Sequence, residues 1–151
     1  MVANHGAAEG FETRVRDSFA RQTVMTTIGA GLLRVAPGEV DIGLAVDPAV
    51  AQQHGFVHAG IVATIADSAC GYAALSLMEP GTAVLTAEFK INLLAPAAGD
   101  RLVARGKVVR AGRTLSVATA EVEAVSASGA KVCAIMTATI MCVRDRPGLD
   151  D

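Results

Sequence analysis

The sequence predicts an α+β domain: a curled antiparallel sheet of about six strands wrapped around one long central helix, with a short helix ahead of it. Three observations predict this. Residues 60–78 are apolar or small on nearly every helical face and stop at Glu79-Pro80-Gly81, a breaker through which a helix does not continue. The segments on either side alternate like strands, most cleanly from Val84 to Ala95. The order is helix, two strands, long helix, four strands, in a 151-residue chain that suits one domain with a sizeable core.

Residues 1–9 carry no pattern and are expected to be disordered. Phe11, Val15 and Phe19 recur at i, i+4, i+8 between charged residues, which predicts a short amphipathic helix over 10–22, packed outside the core. Residues 27–36 and 39–46 flank Pro37-Gly38 and read as a β-hairpin. The turn-rich segment 47–57 leads into the central helix. In the strand 84–95, Leu85, Ala87, Phe89, Ile91 and Leu93 share one side and Thr86, Glu88, Lys90 and Asn92 the other, the pattern of a sheet with one buried face. Pro96 to Asp100 ends it. Strands 101–110 and 114–126 join across Ala111-Gly112-Arg113, and Ser128-Gly129 leads into 131–143. The last four strands are expected to be sequential antiparallel neighbours. Residues 144–151 are polar and breaker-rich, hence a disordered tail, leaving a single domain over 10–143. A single antiparallel sheet buries its apolar face only by curling around something, and the 60–78 helix is the element available. That arrangement is the hot-dog fold.

Composition narrows the function. The formal charge is −2, no Lys/Arg run is present and there is no Trp, so neither an electrostatic footprint nor a stacking platform for nucleic acid exists. The central helix is long enough to span a membrane, but Asp67, Thr64, Ser68, Ser76 and two glycines argue for burial in protein. Residues 1–6 show neither a basic nor an apolar run, so no export signal is expected and the compartment is expected to be the cytoplasm. Cys70, Cys133 and Cys142 are odd in number and lack partners at metal-ligand spacing, so no metal is expected and the thiols read as small buried hydrophobes. Cys70, three residues after Asp67, is the one alternative nucleophile.

Asp67 is the most informative residue. It is the only carboxylate between His58 and Glu79, in the middle of an apolar run. Removing a carboxylate from water is costly unless it is hydrogen-bonded, paired or neutralised, so function is the first candidate. The alternative is a carboxylate bonded to nearby hydroxyls such as Thr64 or Ser68, with no chemical task. His58 opens the helix, where it either orients a substrate or hydrogen-bonds backbone. His54 lies in the preceding loop and is expected to face solvent. Ala59 and Gly60 occupy the first turn, whose N–H groups lack intrahelical partners and favour negative charge.

These residues carry a resemblance. Gln52, Gly55, His58-Ala59-Gly60 and Asp67 nine residues after the histidine, followed by Leu85 to Phe89 and Ala95-Pro96-Ala97, are similar to hot-dog acyl-CoA thioesterases of the phenylacetate-degradation (PaaI-like) type, the group that includes thioesterase superfamily member 2. The resemblance covers about residues 11–143. The family has Asn where Gln52 stands and Gly where Ala59 stands; an amide survives both changes. What it implies is hydrolysis of an acyl-CoA thioester, with CoA as part of the substrate and no separate cofactor. Asp67 would act as base or nucleophile, the amides of Ala59 and Gly60 would polarise the thioester carbonyl, and Gln52 would orient water or carbonyl. Thr86 takes the place of a family Ser near the nucleophile, as holder of the attacking water or as an ordinary strand hydroxyl. Arg110 and Arg113 at their hairpin, and Lys90 more weakly, are candidates for the CoA phosphates; charged hairpin residues are also commonly just solvated.

Nine residues of helix span roughly 13 Å at a rise of about 1.5 Å each, so His58 and Asp67 of one chain cannot share a thioester carbon. The expected remedy is an isologous homodimer with central helices side by side, strand 84–95 paired with its own copy, and two composite sites; such dimers are expected to pair again as a tetramer. The competing function is a non-catalytic acyl-CoA-binding or sensing hot-dog protein, against which Asp67 speaks.

Overall fold

The computed structural model describes residues 6–149 and 151; part of the expected N-terminal disorder, residues 1–5, therefore lies outside the described residues. Helix α1 (Phe11–Arg21) is followed by a short helix α2 (Thr23–Ile28), strands β1 (Ala30–Ala36) and β2 (Glu39–Ala45), the central helix α3 (Ala59–Leu75), and strands β3 (Ala83–Leu93), β4 (Arg101–Arg110), β5 (Leu115–Ser126) and β6 (Gly129–Val143). One antiparallel sheet of six strands, ordered β1-β2-β4-β5-β6-β3, curls around α3. This is the hot-dog architecture that the element order predicts.

The core is aliphatic. Val62, Ile65, Ala69 and Leu75 of α3 pack against Ile42, Leu102, Val122, Met136 and Ile140 of the sheet, each at most 2 % exposed. Helix and sheet approach to backbone distance at Gly106, where an added Cβ would stand 2.3 Å from the Ala69 carbonyl oxygen. At its far end α3 stops at Leu75 rather than at 78. Ser76 Oγ donates to the Ala73 carbonyl and accepts from Gly38 N–H, while Arg14 of α1 donates to the Leu75 and Met78 carbonyls at 2.7 and 2.5 Å. The carbonyls of Tyr72, Ala73 and Ala74 are met by Ser76 N–H, Ser76 Oγ and Leu77 N–H, while the side chain from α1 takes those of Leu75 and of Met78 just beyond, which fixes α1 across this end.

Three further expectations are corrected. Residues Thr27–Gly29 do not begin a strand: the β-branched run from Thr23 forms helix α2, which buries Met25 and ends at Gly29 with φ 75°, its N–H donating to the Met25 and Thr26 carbonyls. A local preference for strand yields here to burial and a left-handed stop. The last four strands are not all sequential neighbours, because β3 crosses to the far edge to pair with β6 and leaves β4 to pair with β2. Nor does β3 keep one unbroken alternation. Thr86 pairs with Ile140 and Glu88 with Thr139, so Ala87 is the extra residue of a β-bulge. Opposite the inward-facing Ala134, Met136, Ala138 and Ile140 stand Leu93, Ile91, Phe89 and then Thr86. Leu85 is turned outward instead. Phe89 and Leu93, on the α3 side of an edge strand, remain 46 % and 54 % exposed in the single chain, so the expected buried face is open.

Residues 144–149 form no helix or strand, and Asp151 sits against α1, its carboxylate accepting from Ser18 at 2.6 Å.

Candidate active site

The start of α3 is held by its own loop. The segment after β2 turns at Gly55, where φ 85° requires a residue without Cβ, and closes through Gln52 N–H to the Phe56 carbonyl and an Ala51–Val57 bridge. Val57 N–H and His58 N–H are then tied to the carbonyls of Ala97 and Val50. His58 is the N-cap: its Nδ1 accepts from Gly60 N–H at 2.9 Å, which in the neutral ring leaves the proton on Nε2, facing solvent. Gly60's amide is therefore occupied. Among the described residues the Ala59 N–H has no acceptor and is the donor left for an oxyanion. The Gln52 side-chain oxygen accepts from His54 N–H in its own loop, which leaves its NH2 group for a ligand. His54 is exposed, as expected.

Two turns further on, Asp67 is half-buried and its carboxyl is pushed above the ordinary carboxylate range by burial, an effect opposed by a hydrogen bond from Thr86. Thr86 Oγ donates to Asp67 Oδ1 at 2.8 Å. The neighbouring hydroxyls are engaged elsewhere: Thr64 donates to the Gly60 carbonyl and Ser68 to Gln22 Oε1. The carboxylate is thus held from strand β3, and its remaining lone pairs face a cavity of about 460 Å³ lined by Ser18, Arg21, Gln22, Ser68, Gly71, Tyr72, Val84 and Thr86. Cys70 is no rival nucleophile. It is fully buried and its thiol is pushed up to about 12, by burial first and by the Asp67 charge second.

Ala59 opens onto a different cavity, also about 460 Å³, walled by Gln52, Phe56, Val57, Val62, Leu93, Leu94, Pro96 and Cys133. One chain therefore carries the acid and the free amide donor in two separate depressions along α3, Asp67 with Thr86 in one and Ala59 with Gln52 in the other. Arg110 and Arg113 lie exposed at the sheet end near the C-terminus of α3, and Lys90 lies exposed midway along β3; among the described residues none of the three forms an ion pair. The described residues contain no cluster of His, Cys, Asp and Glu able to hold a metal ion, and no helix long and apolar enough to cross a membrane.

Comparison with known proteins decides the family. The profile of the thioesterase superfamily matches residues 54–133, more than half of the chain and the whole interval from the helix-capping loop into β6. A solved thioesterase family protein from Silicibacter pomeroyi is 54% identical, covering 89% of this chain and 99% of that one at a TM-score of 0.88. The chain belongs to the thioesterase superfamily. The fold of this superfamily member is also that of the PaaI protein of E. coli from the phenylacetic acid degradation operon, at 21% identity, 95% and 98% coverage and a TM-score of 0.79. A curated esterase candidate from Halobacterium salinarum is 44% identical over 66 residues, and the match spans 42% of the superfamily member and 43% of that relative.

The cavity beside Asp67 includes residues that sequence pattern passed over. Tyr72 was open to detection as the single tyrosine of the chain, five residues beyond Asp67 on the same helix. Ser18 of α1 and Gln22 just beyond its end had no signal, because this part of the chain meets the site only through the way α1 is laid across α3.

Proposed function

We propose that this protein hydrolyses acyl-CoA thioesters to the free acid and CoA in the cytoplasm, at composite sites of a homodimer, with CoA as part of the substrate and no further cofactor. The observation that carries the reading is the half-buried Asp67, held by Thr86 at the mouth of a cavity. Its raised affinity for protons suits it to take one from water, and the Thr86 oxygen can accept a hydrogen bond from that same water. The water oxygen then bonds to the thioester carbon, the carbonyl electrons move to an oxyanion received by an Ala59 N–H with the Gln52 amide beside it, and collapse expels the CoA thiolate, to which the proton returns. Direct attack by Asp67 through a mixed anhydride uses the same arrangement. Label found in Asp67 after a single turnover in 18O-water marks the anhydride route with water adding at the aspartyl carbonyl, an outcome that direct attack by water cannot give.

A non-catalytic binding role would leave the acid without a task. The open apolar side of β3, with Phe89 and Leu93, is the surface by which two copies would meet. On the opposite face, Leu85, Met141 and Leu115 stand in register across β3, β6 and β5 and would serve a pairing of dimers. The test is release of free thiol from short, long, branched and aryl acyl-CoAs. Turnover of at least one class is expected; turnover of none would overturn the reading.

A further inference from the structure

Most helix N-caps are hydroxyls, amide oxygens or carboxylates, which keep one charge across neutral pH. Here the cap is an imidazole, the side chain that changes charge in that range. Its Nδ1 lone pair takes Gly60 N–H at 2.9 Å, and the ring lies so close that an added Cβ at position 60 would stand 3.1 Å from Nδ1 and 3.4 Å from Cε1. The glycine of His58-Ala59-Gly60 thus leaves room for the ring that caps it. The His58 backbone is anchored separately, its N–H to the Val50 carbonyl and its carbonyl to Ile61 and Val62 N–H at 2.9 and 3.1 Å. Among the described residues the ring is the one side chain that holds an N–H of this turn, and the N–H just before it is the free donor of Ala59.

Taking up a proton turns the Nδ1 lone pair into a donor. Two donors then face each other across 2.9 Å, on a ring made cationic beside the positive end of α3, and the ring has to swing off. Two effects of opposite sign follow. A cation near the site favours an oxyanion, but His58 is exposed, where such a charge is worth less than about 10-fold. Displacing an oxyanion donor costs about 10²- to 10³-fold in turnover, so the loss prevails. We infer that His58 is a positioning residue whose protonation switches the site off: the neutral ring holds Gly60 N–H and with it the Ala59 donor, and the imidazolium releases both. The inference rests on the oxyanion role proposed for Ala59. Of the titratable groups on the segments packed around the ring, Asp47 caps Ala49 N–H, His54 and Asp100 are exposed, and among the described residues none forms an ion pair with His58. In a composite site the remaining one is Asp67 of the partner subunit, so two separate protonations stop turnover.

NMR of the 15N-labelled protein reads the cap directly. As pH falls through the imidazole range, about 8 to 5, the Gly60 amide proton is expected to move upfield in step with the His58 ring protons, in the wild type and in Asp67→Asn alike. In His58→Asn, which caps through an oxygen that takes up no proton, the Gly60 signal is expected to stay still. Turnover reads the consequence. Well down the acid limb, wild-type kcat is expected to fall by about 100-fold per pH unit, a decade for each of two protons, and that of His58→Asn by about 10-fold. At pH 8 the Asn variant is expected to recover most of the turnover that His58→Ala loses. A Gly60 signal that ignores the titration of His58, an equally steep limb in His58→Asn, or an Asn variant as inactive as His58→Ala would each overturn the inference while leaving thioester hydrolysis standing. Hydrolysis of no acyl-CoA would instead remove the hydrolytic reading and the inference with it.

Discussion

The Thr86 hydroxyl donates to Asp67 at 2.8 Å because Ala87 is a bulged residue. Without the extra residue, Thr86 would share the outward phase of Glu88, Lys90 and Asn92, and the central carboxylate would have no partner from the sheet. A local irregularity of an edge strand therefore builds one half of the candidate site.

The first consequence concerns pH. Burial raises the Asp67 carboxyl above the ordinary carboxylate range, so a base at this position is active only as pH rises through that displaced value. Its effect on stability has the opposite sense. Between the ordinary and the raised value the folded state binds more protons than the unfolded one, so stability falls as pH rises across that window, and the loss is complete above it. Asp67→Asn is expected to lose activity by about 10²-fold or more, the contribution of a positioned proton acceptor. The same variant is expected to melt at or above the wild-type temperature at neutral pH, an advantage that vanishes toward pH 3. Steady-state rates and melting curves across pH check both; near-wild-type turnover in a folded Asn variant would remove Asp67 from the chemistry.

Thr86 is expected to act as a positioning residue. Its hydrogen bond favours the charged carboxylate, so losing it raises the Asp67 carboxyl further. Thr86→Val should lower kcat by roughly 10-fold, as expected for one hydrogen bond to a charged group, and move the acid limb of the kcat profile to higher pH. Thr86→Ser should restore the limb. A Val variant with reduced kcat but an unmoved limb would show that the threonine does not act through the Asp67 carboxyl.

Much of this was legible in the sequence, and the part that was not is non-local. The breaker at Pro80-Gly81 and the apolar run before it mark α3, and the position of Asp67 and His58 on that run marks the site. The bulge at Ala87 leaves no trace in composition, since Leu85-Thr86-Ala87-Glu88-Phe89 reads as perfect alternation until the partner strand β6 imposes the shift. The place of β3 at the sheet edge depends on which strands β4 and β6 accept, a choice made by the curl of the whole sheet around α3. Gln22 acquires its place beside Ser68 only when Arg14 fastens α1 across the end of that helix.

Arg110 and Arg113 are exposed and without carboxylate partners among the described residues, which leaves both guanidiniums available to phosphate. The double variant Arg110→Ala with Arg113→Ala is expected to raise KM for an acyl-CoA by about 10-fold or more, from two charge-assisted hydrogen bonds. KM for the corresponding N-acetylcysteamine thioester, which lacks phosphates, should hardly move. Equal shifts on both substrates, or none on either, would place the phosphates elsewhere.

The last prediction concerns the two cavities. Ala59 with its His58 cap opens onto one, and Asp67 with Thr86 onto the other, separated along α3 by roughly 13 Å. A thioester carbon within bonding reach of water at Asp67 is too far from the Ala59 amide of the same chain. Two antiparallel copies of α3 laid side by side bring the helix start of each to the middle of the other, and the open side of β3, with Phe89 and Leu93, would be covered in the same step. Asp67→Asn is expected to be inactive alone because it loses the base, and His58→Ala because losing the cap on Gly60 N–H unfastens the first turn of α3 and displaces the Ala59 donor. After subunit exchange, every mixed dimer should hold one site with both residues intact and one with neither. Random pairing then restores about a quarter of the wild-type sites, half of the dimers with half of their sites each. A mixture that stays inactive although mass spectrometry shows mixed dimers would refute the composite site, and so would full activity of either variant by itself.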